Sequence, residues 1–329
     1  MHCELPYCEN PAFTADLLRR DLMPRPFTVV DVGVYGGEHP RWHAFGDALQ
    51  IYGFDPREEA IRPLQERGPV VGQASYFPIA IGDEDGTREF TVRSDNPAES
   101  SFYSSAAVTQ KRVVSIQRLD SLVAARRISA PHFLKVDVEG FEKHVLLSAV
   151  DCLGRSVIGV ELETNFGASS VYPITHIGAA LEILTPLGFR LAHLIMARHH
   201  GRPSIVDVLF CKEVSRDTPP EDIVRLAAIL ESYRLWEFAS RILTEHGSAV
   251  STVIDVDRAL GLLSPSVQAA ASPTADDVKS NSRRLDVQNW EASAQVAYLQ
   301  RQIEQLLQST SWRVTAPLRA LSRVIRRSP

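Results

Sequence analysis

The sequence predicts an α/β protein, a doubly wound and mostly parallel sheet with a helical extension behind it. Three observations predict this. Short apolar runs ending in Gly, Pro or an acid recur at 27–32, 50–54, 76–81, 132–138 and 157–162. Helical stretches separate several of them, at 40–49, 58–66 and 120–127. A glycine-rich turn, Gly33-Val-Tyr35-Gly36-Gly37, follows the first run directly, and Pro40 is placed to open the next helix. Strands that alternate with helices form a parallel sheet covered on both faces.

The remaining elements follow in chain order. Residues 1–26 read as an irregular lead-in with a short helix near 12–20. The α/β domain spans 27–214. Within it, 87–93 follows the turn Gly82-Asp-Glu-Asp-Gly86 and is expected as an antiparallel addition. The segments 189–195 and 206–212 are expected to close the sheet as a hairpin. Residues 215–262 read as a helical hairpin, 219–232 and 235–246, with Gly247 as its C-cap. Residues 263–288, rich in Ser, Ala, Asp and Pro, read as a linker. Region 289–329 opens with heptad-like spacing at Ala292, Val296, Leu299, Ile303 and Leu306, which suggests self-association through 292–310.

The chain has 329 residues, 44% hydrophobic and 23% charged, enough for one α/β domain and a smaller part. The formal net charge of −5 conceals an asymmetry. Residues 311–329 carry five arginines and no carboxylate, which leaves 30 basic against 40 acidic residues in the rest. Such an acidic body is a poor ligand for nucleic acid. In the tail, Leu318, Leu321 and Ile325 share one helical face and the arginines fall largely on the other, a layout suited to peripheral contact with an anionic membrane. Four cysteines are too few for a disulfide framework, no secretory leader is legible, and no apolar run is long enough to span a bilayer. A cytoplasmic setting is expected.

The candidate site lies at the carboxyl ends of the strands, where open α/β sheets bind ligands. Asp31 stands where a dinucleotide fingerprint needs its first glycine, so a pyrophosphate is disfavoured. An acid there suits the ammonium or sulfonium of S-adenosylmethionine. Gly33, Tyr35 and Gly37 form the loop expected around that cofactor. Asp55, in Gly53-Phe-Asp-Pro56, ends the second run and can accept both hydroxyls of a ribose. In Lys135-Val-Asp137-Val-Glu139-Gly-Phe-Glu142, a lysine and three carboxylates crowd a strand end. Alternation places Lys135, Asp137 and Glu139 on one face if the strand runs that far. Glu161 and Glu163 add acids to the same rim. The candidate bases are Asp137, Glu139 and Glu161, with His176 a further one; His199 and His200 read as solvated. No metal is required, although the acids around Asp137–Glu139 are able to hold a divalent ion.

On these motifs the chain resembles the FkbM-type S-adenosylmethionine-dependent methyltransferases. The likeness runs from about 27 to 212. It rests on Asp31-Val-Gly33 with Gly36-Gly37, Phe54-Asp55-Pro56, Ala80-Ile-Gly-Asp-Glu-Asp-Gly86, Leu119-Asp120-Ser-Leu122 and Lys135 to Glu142. The resemblance implies a class I methyltransferase fold and S-adenosylmethionine as cofactor. It also implies cofactor contacts at Asp31, Gly33 and Asp55, and a site-forming role for Asp137 and Glu139. Its reactions are mainly O-methylations of sugars and natural products, so a sugar or glycolipid acceptor is expected. Two features depart from the family: Val34-Tyr35 stands where Ala-Asn is frequent, and Asp55 replaces a glutamate. The segment 309–319 is similar to tails of bacterial enzymes of surface-polysaccharide assembly. The competing readings are a nicotinamide-dependent oxidoreductase, or a non-catalytic scaffold whose working part is the tail.

Overall fold

A computed structural model describes residues 6–93, 100–103, 109–166, 175–199, 202–264 and Val267. Most of the expected linker, the heptad segment and the basic tail lie outside the described residues. No helix among the described residues is long and apolar enough to cross a membrane.

The main sheet has seven strands in the order β3-β2-β1-β7-β8-β10-β9. They are β1 (Phe27–Val32), β2 (Leu49–Phe54), β3 (Gln73–Phe77), β7 (Phe133–Val136), β8 (Gly159–Asn165), β9 (Phe189–His199) and β10 (Arg202–Lys212). Five strands run parallel, and β10 pairs antiparallel with both β8 and β9. The chain crosses from β1 to β7 at the centre, which puts the topological switch point between them. This is the mostly parallel, doubly wound sheet that the sequence predicts, with one reversed strand near its edge. A second sheet holds β4 (Ala80–Ile81), β6 (Thr109–Gln117) and β5 (Gly86–Arg93).

Four expectations need correction. The run 76–81 is two strands in two sheets, because Pro78 cannot donate to a ladder and breaks the run. The expected helix 40–49 is a 3₁₀ segment, Pro40–Ala48, interrupted where Gly46 adopts φ 53°. Strand β7 stops at Val136, so alternation does not carry to Glu139. The Asp137 amide donates to Val32 O at 2.9 Å, and Glu139 (φ 54°) and Gly140 (φ 102°) then turn the chain away. Finally β6, the partner of β5, escapes the sequence reading because its charged Lys111-Arg112 stretch lacks an apolar run.

Helices cover both faces. Six of them lie between or after the strands: α2 (Glu58–Arg67), α3 (Leu119–Ala124), α4 (Glu142–Ser148), α5 (Val150–Arg155), α6 (Ile177–Leu184) and α7 (Pro220–Ser232). Before the sheet comes α1 (Ala12–Arg19), and behind α7 follow α8 (Trp236–Glu245), α9 (Gly247–Val250) and α10 (Val256–Leu262). One face of the sheet, carrying Phe27, Val29, Phe133 and Leu209, packs against α1, the 3₁₀ segment, α7 and α8 in one core. Trp42 sits at its centre with Phe133 at 4.8 Å and Phe45 at 6.2 Å between ring centroids. Each such fully buried aromatic contributes roughly 1.5–3 kcal/mol by leaving water. The C-terminal helices are therefore part of the sheet's cover.

Helix α1 starts at Pro11 without a side-chain cap of its own. Glu231, at the end of α7 and 0% exposed, serves instead: it accepts hydrogen bonds from the Phe13 amide, the Thr14 amide and the Thr14 hydroxyl, each at 2.8 Å. The carboxylate also meets the positive end of the helix. Glu231→Ala strands three buried donors, and denaturant unfolding of the variant should show a loss of about 3–5 kcal/mol. A loss under about 1 kcal/mol would mean that water replaces the carboxylate.

Candidate active site

Along the face covered by α7, each central strand changes from apolar to charged toward its site end. Strand β1 presents Phe27, Val29, then Asp31; β7 presents Phe133, then Lys135; β8 presents Gly159, Glu161, then Glu163. Asp31 lies opposite Lys135, and Lys135 opposite Glu161, in adjacent strands. Asp207 of β10 lies opposite Glu163. Five charged side chains thus cross four strands, Asp31, Lys135 and Glu161 at one level and Glu163 and Asp207 at the next.

Lys135 is the hub of this row. Its ammonium lies 3.6 Å from Asp31 Oδ1 and 3.5 Å from Asp137 Oδ2, with the side chain 16% exposed. Burial opposes its charge, but Asp31, Asp137 and Glu161 outweigh that and hold its pKa above the ordinary lysine value. Burial pushes the Asp31 carboxyl up to about 6, and Lys135 limits the rise. Glu161 accepts from Arg41 Nη1 at 3.2 Å and from the Tyr233 hydroxyl. The guanidinium of Arg41 also lies 4.5 Å from the Tyr233 ring. Glu163 and Asp207 both sit above the carboxylate range, first through burial and then through neighbouring acids. Burial likewise pushes Glu142 up to about 7.

A cleft of about 210 Å³ opens beside this row, between the tips of β1, β2 and β7 and the second sheet. Gly33, Tyr35, Asp55, Arg57, Asp137 and Glu139 supply its polar and loop lining, and Phe102 and Phe141 its apolar wall. Asp55 is 2% exposed. Arg57 holds it from the same turn: the Arg57 amide and Nε donate to Oδ1 at 2.9 and 2.8 Å, and Nη2 donates to Oδ2 at 2.6 Å. Tyr35 lays its ring 4.5 Å from that guanidinium.

The structure therefore sorts the expected site residues. Gly33, Tyr35, Asp55, Asp137 and Glu139 come together around the cleft. Asp31 does not line it; it is 1% exposed and its carboxylate lies against the Lys135 ammonium. Gly37 lies outside, against Arg67 and Leu64. Glu161 is 7% exposed and taken up by Arg41 and Tyr233, which leaves it a poor base. His176 stands at the N-cap position of α6 without capping it. The side chains of His199 and His200 lie outside the described residues. Asp207, Arg41, Tyr233 and Arg57 escaped the sequence reading. Asp207 alone had a legible signal, as one acid inside the apolar run Ile205-Val-Asp-Val-Leu-Phe210.

Gly33 shows how tightly the strand tips meet. It has φ 93°, and a Cβ built there would stand 1.8 Å from the Asp137 carbonyl oxygen. Gly36 has φ 85° and open space around it. Gly36→Ala should cost about 1–2 kcal/mol, the left-handed backbone penalty alone. Gly33→Ala should cost clearly more, about 4 kcal/mol or above, because two strand tips must separate. Equal unfolding midpoints for the two variants would contradict this packing.

Residues 31–191 match the family described as Methyltransferase FkbM domain. Among solved structures, the chain is similar to the methyltransferase FkbM from Methylobacillus flagellatus KT, at 14% identity and a TM-score of 0.36. That match covers 59% of this chain and 47% of the other, so the chain spans about half of that relative's length. It is similar also to the magnesium protoporphyrin IX methyltransferase of Synechocystis PCC 6803 with bound SAM, at 11% identity and a TM-score of 0.32, over 61% of this chain and 76% of the other. A SAM-dependent methyltransferase from Methanosarcina mazei matches at 10% identity and a TM-score of 0.32, over 60% and 98%. None of the curated proteins matches the chain. The sequence motifs and the matched region agree: residues 31–191 form a domain of the FkbM methyltransferase type.

Proposed function

We propose that the chain transfers the methyl group of S-adenosylmethionine to a hydroxyl of a sugar or glycolipid, within the assembly of a surface polysaccharide. The observation that carries the reading is the position of Asp137. Its carboxylate stands at the tip of β7, 36% exposed, inside the cleft and anchored to Lys135. The family supports a hydroxyl acceptor, and the tail segment 309–319 supports the pathway.

The residues fit the cofactor. Glu139, at the acid-rich end of the cleft, suits its cationic amino-acid part, and Phe102 and Phe141 suit a planar adenine. Asp55 is the ribose acid on this reading, and Arg57 must then share or release its oxygens. When bound, the cofactor supplies an electrophilic methyl on sulfur. Asp137 would take the proton of the acceptor hydroxyl, and Lys135 keeps that carboxylate in place. The apolar wall excludes water, and alignment of the acceptor oxygen supplies most of the rate.

Two substitutions test the assignment. Asp55→Ala should weaken S-adenosylmethionine binding by about 1.5–3 kcal/mol in titration calorimetry of the folded variant, the range for hydrogen bonds to a charged group. Unchanged affinity would place the ribose elsewhere. Asp137→Asn keeps the shape and removes the charge; turnover should fall by roughly 10²–10⁴ with little change in cofactor affinity. Parallel loss of both would move Asp137 into the cofactor site. Mass spectrometry of surface polysaccharide from a strain lacking the gene should show the loss of one methyl group per acceptor sugar, and an unchanged polysaccharide would refute the pathway.

A further inference from the structure

Beyond the tips of β7 and β8 three carboxylates converge. One oxygen each from Asp137, Glu139 and Glu163 lies within 4.8 Å of the other two. The three come from different backbone settings. Asp137 follows β7, Glu139 sits in the turn whose carbonyl accepts from Ser101 Oγ at 2.7 Å, and Glu163 belongs to β8. The β7–β8 register brings Asp137 beside Glu163, the following turn adds Glu139, and like charges repel at this spacing.

Asp207 is a second, independent observation. It is 8% exposed, and among the described residues it has neither a hydrogen bond nor an ion pair. It lies directly opposite Glu163 in the antiparallel β8–β10 pair, so both side chains leave the same face of the sheet about 5 Å apart at Cβ. Glu163 also makes no hydrogen bond or ion pair among the described residues. A carboxylate as buried as Asp207 keeps its charge only beside a positive partner. The neighbouring cations are already engaged: Lys135 with Asp31 and Asp137, Arg41 with Glu161.

The geometry points to a divalent-cation site formed by Asp137, Glu139 and Glu163, with Asp207 supplying further negative charge beside Glu163. An all-oxygen, carboxylate donor set selects a hard ion such as Mg²⁺, Ca²⁺ or Mn²⁺. Asp137 and Glu139 line the cleft, so the open coordination positions face it and take water. On the methyl-transfer reading, which this step rests upon, two neighbouring hydroxyls of the acceptor replace those waters. The ion then fixes the reacting oxygen, and a vicinal diol becomes the preferred acceptor.

Manganese alone tests the site. Full-length protein without cofactor is titrated with Mn²⁺, and the free ion is read by electron paramagnetic resonance. One equivalent should bind with Kd below about 1 mM. Glu163→Gln and Asp207→Asn should each weaken it by about tenfold or more, and Glu163→Asp should recover part of the loss. Circular dichroism reports whether each variant folds; if Glu163→Gln does not, Asp207→Asn and the wild-type stoichiometry decide. Absence of Mn²⁺ binding below 1 mM in a protein that still binds S-adenosylmethionine overturns the site and leaves the methyltransferase reading intact. Equal Mn²⁺ affinity in wild type and both variants also overturns it. Mn²⁺ binding in a protein that does not bind S-adenosylmethionine supports the site and removes its proposed link to the acceptor.

Discussion

The ammonium of Lys135 is the interaction on which the site depends. It sits between Asp31 and Asp137 at the switch point of the sheet, where β1 and β7 run side by side. Without it, two acids would face each other across a nearly dry strand pair, at a cost of several kcal/mol. With it, Asp31 can stay buried, and Asp137 can stand at the open end with its amide bonded to Val32. The close approach of the two tips then leaves no room for a side chain at position 33.

The helical layer enters the chemistry by the same route. Tyr233 follows α7 directly and donates to Glu161, and Arg41 of the 3₁₀ segment closes the other side of that carboxylate. Glu231, two residues earlier, holds α1. One short stretch at the end of α7 thus ties the N-terminal helix and the acid row to the sheet. The apolar part of this face, from Phe27 to Trp42 and Phe133, lies just below and makes the layer rigid. Such a rigid support is what catalysis by alignment requires.

Charge is distributed unevenly across this arrangement. Asp31, Asp137 and Glu161 share two cations, while Glu163 and Asp207 share none among the described residues. The surplus of acid lies on the β8–β10 side of the row, beyond Asp137 and Glu139, which line the cleft. It suits a cationic or cation-bridged ligand there and works against an acceptor that would bring a phosphate to the same spot.

Much of this was legible in the chain itself. The strand at 27–32, the glycine turn behind it and the crowded Lys135–Glu142 motif are local patterns, because burial of a strand and tightness of a turn depend on adjacent residues. Asp55 and Asp137 were legible as site acids for the same reason: each ends an apolar run. What the tertiary structure decided is which acids face the cleft and which are consumed. Asp31, Glu161 and Asp137 look alike in sequence, yet Lys135 buries the first, Arg41 and Tyr233 take the second, and only the third remains open. Arg57 on Asp55, and Asp207 opposite Glu163, were also beyond the sequence reading. The physical reason is that a carboxylate's role is set by the charge and water that reach it, and both arrive from strands and helices distant in sequence.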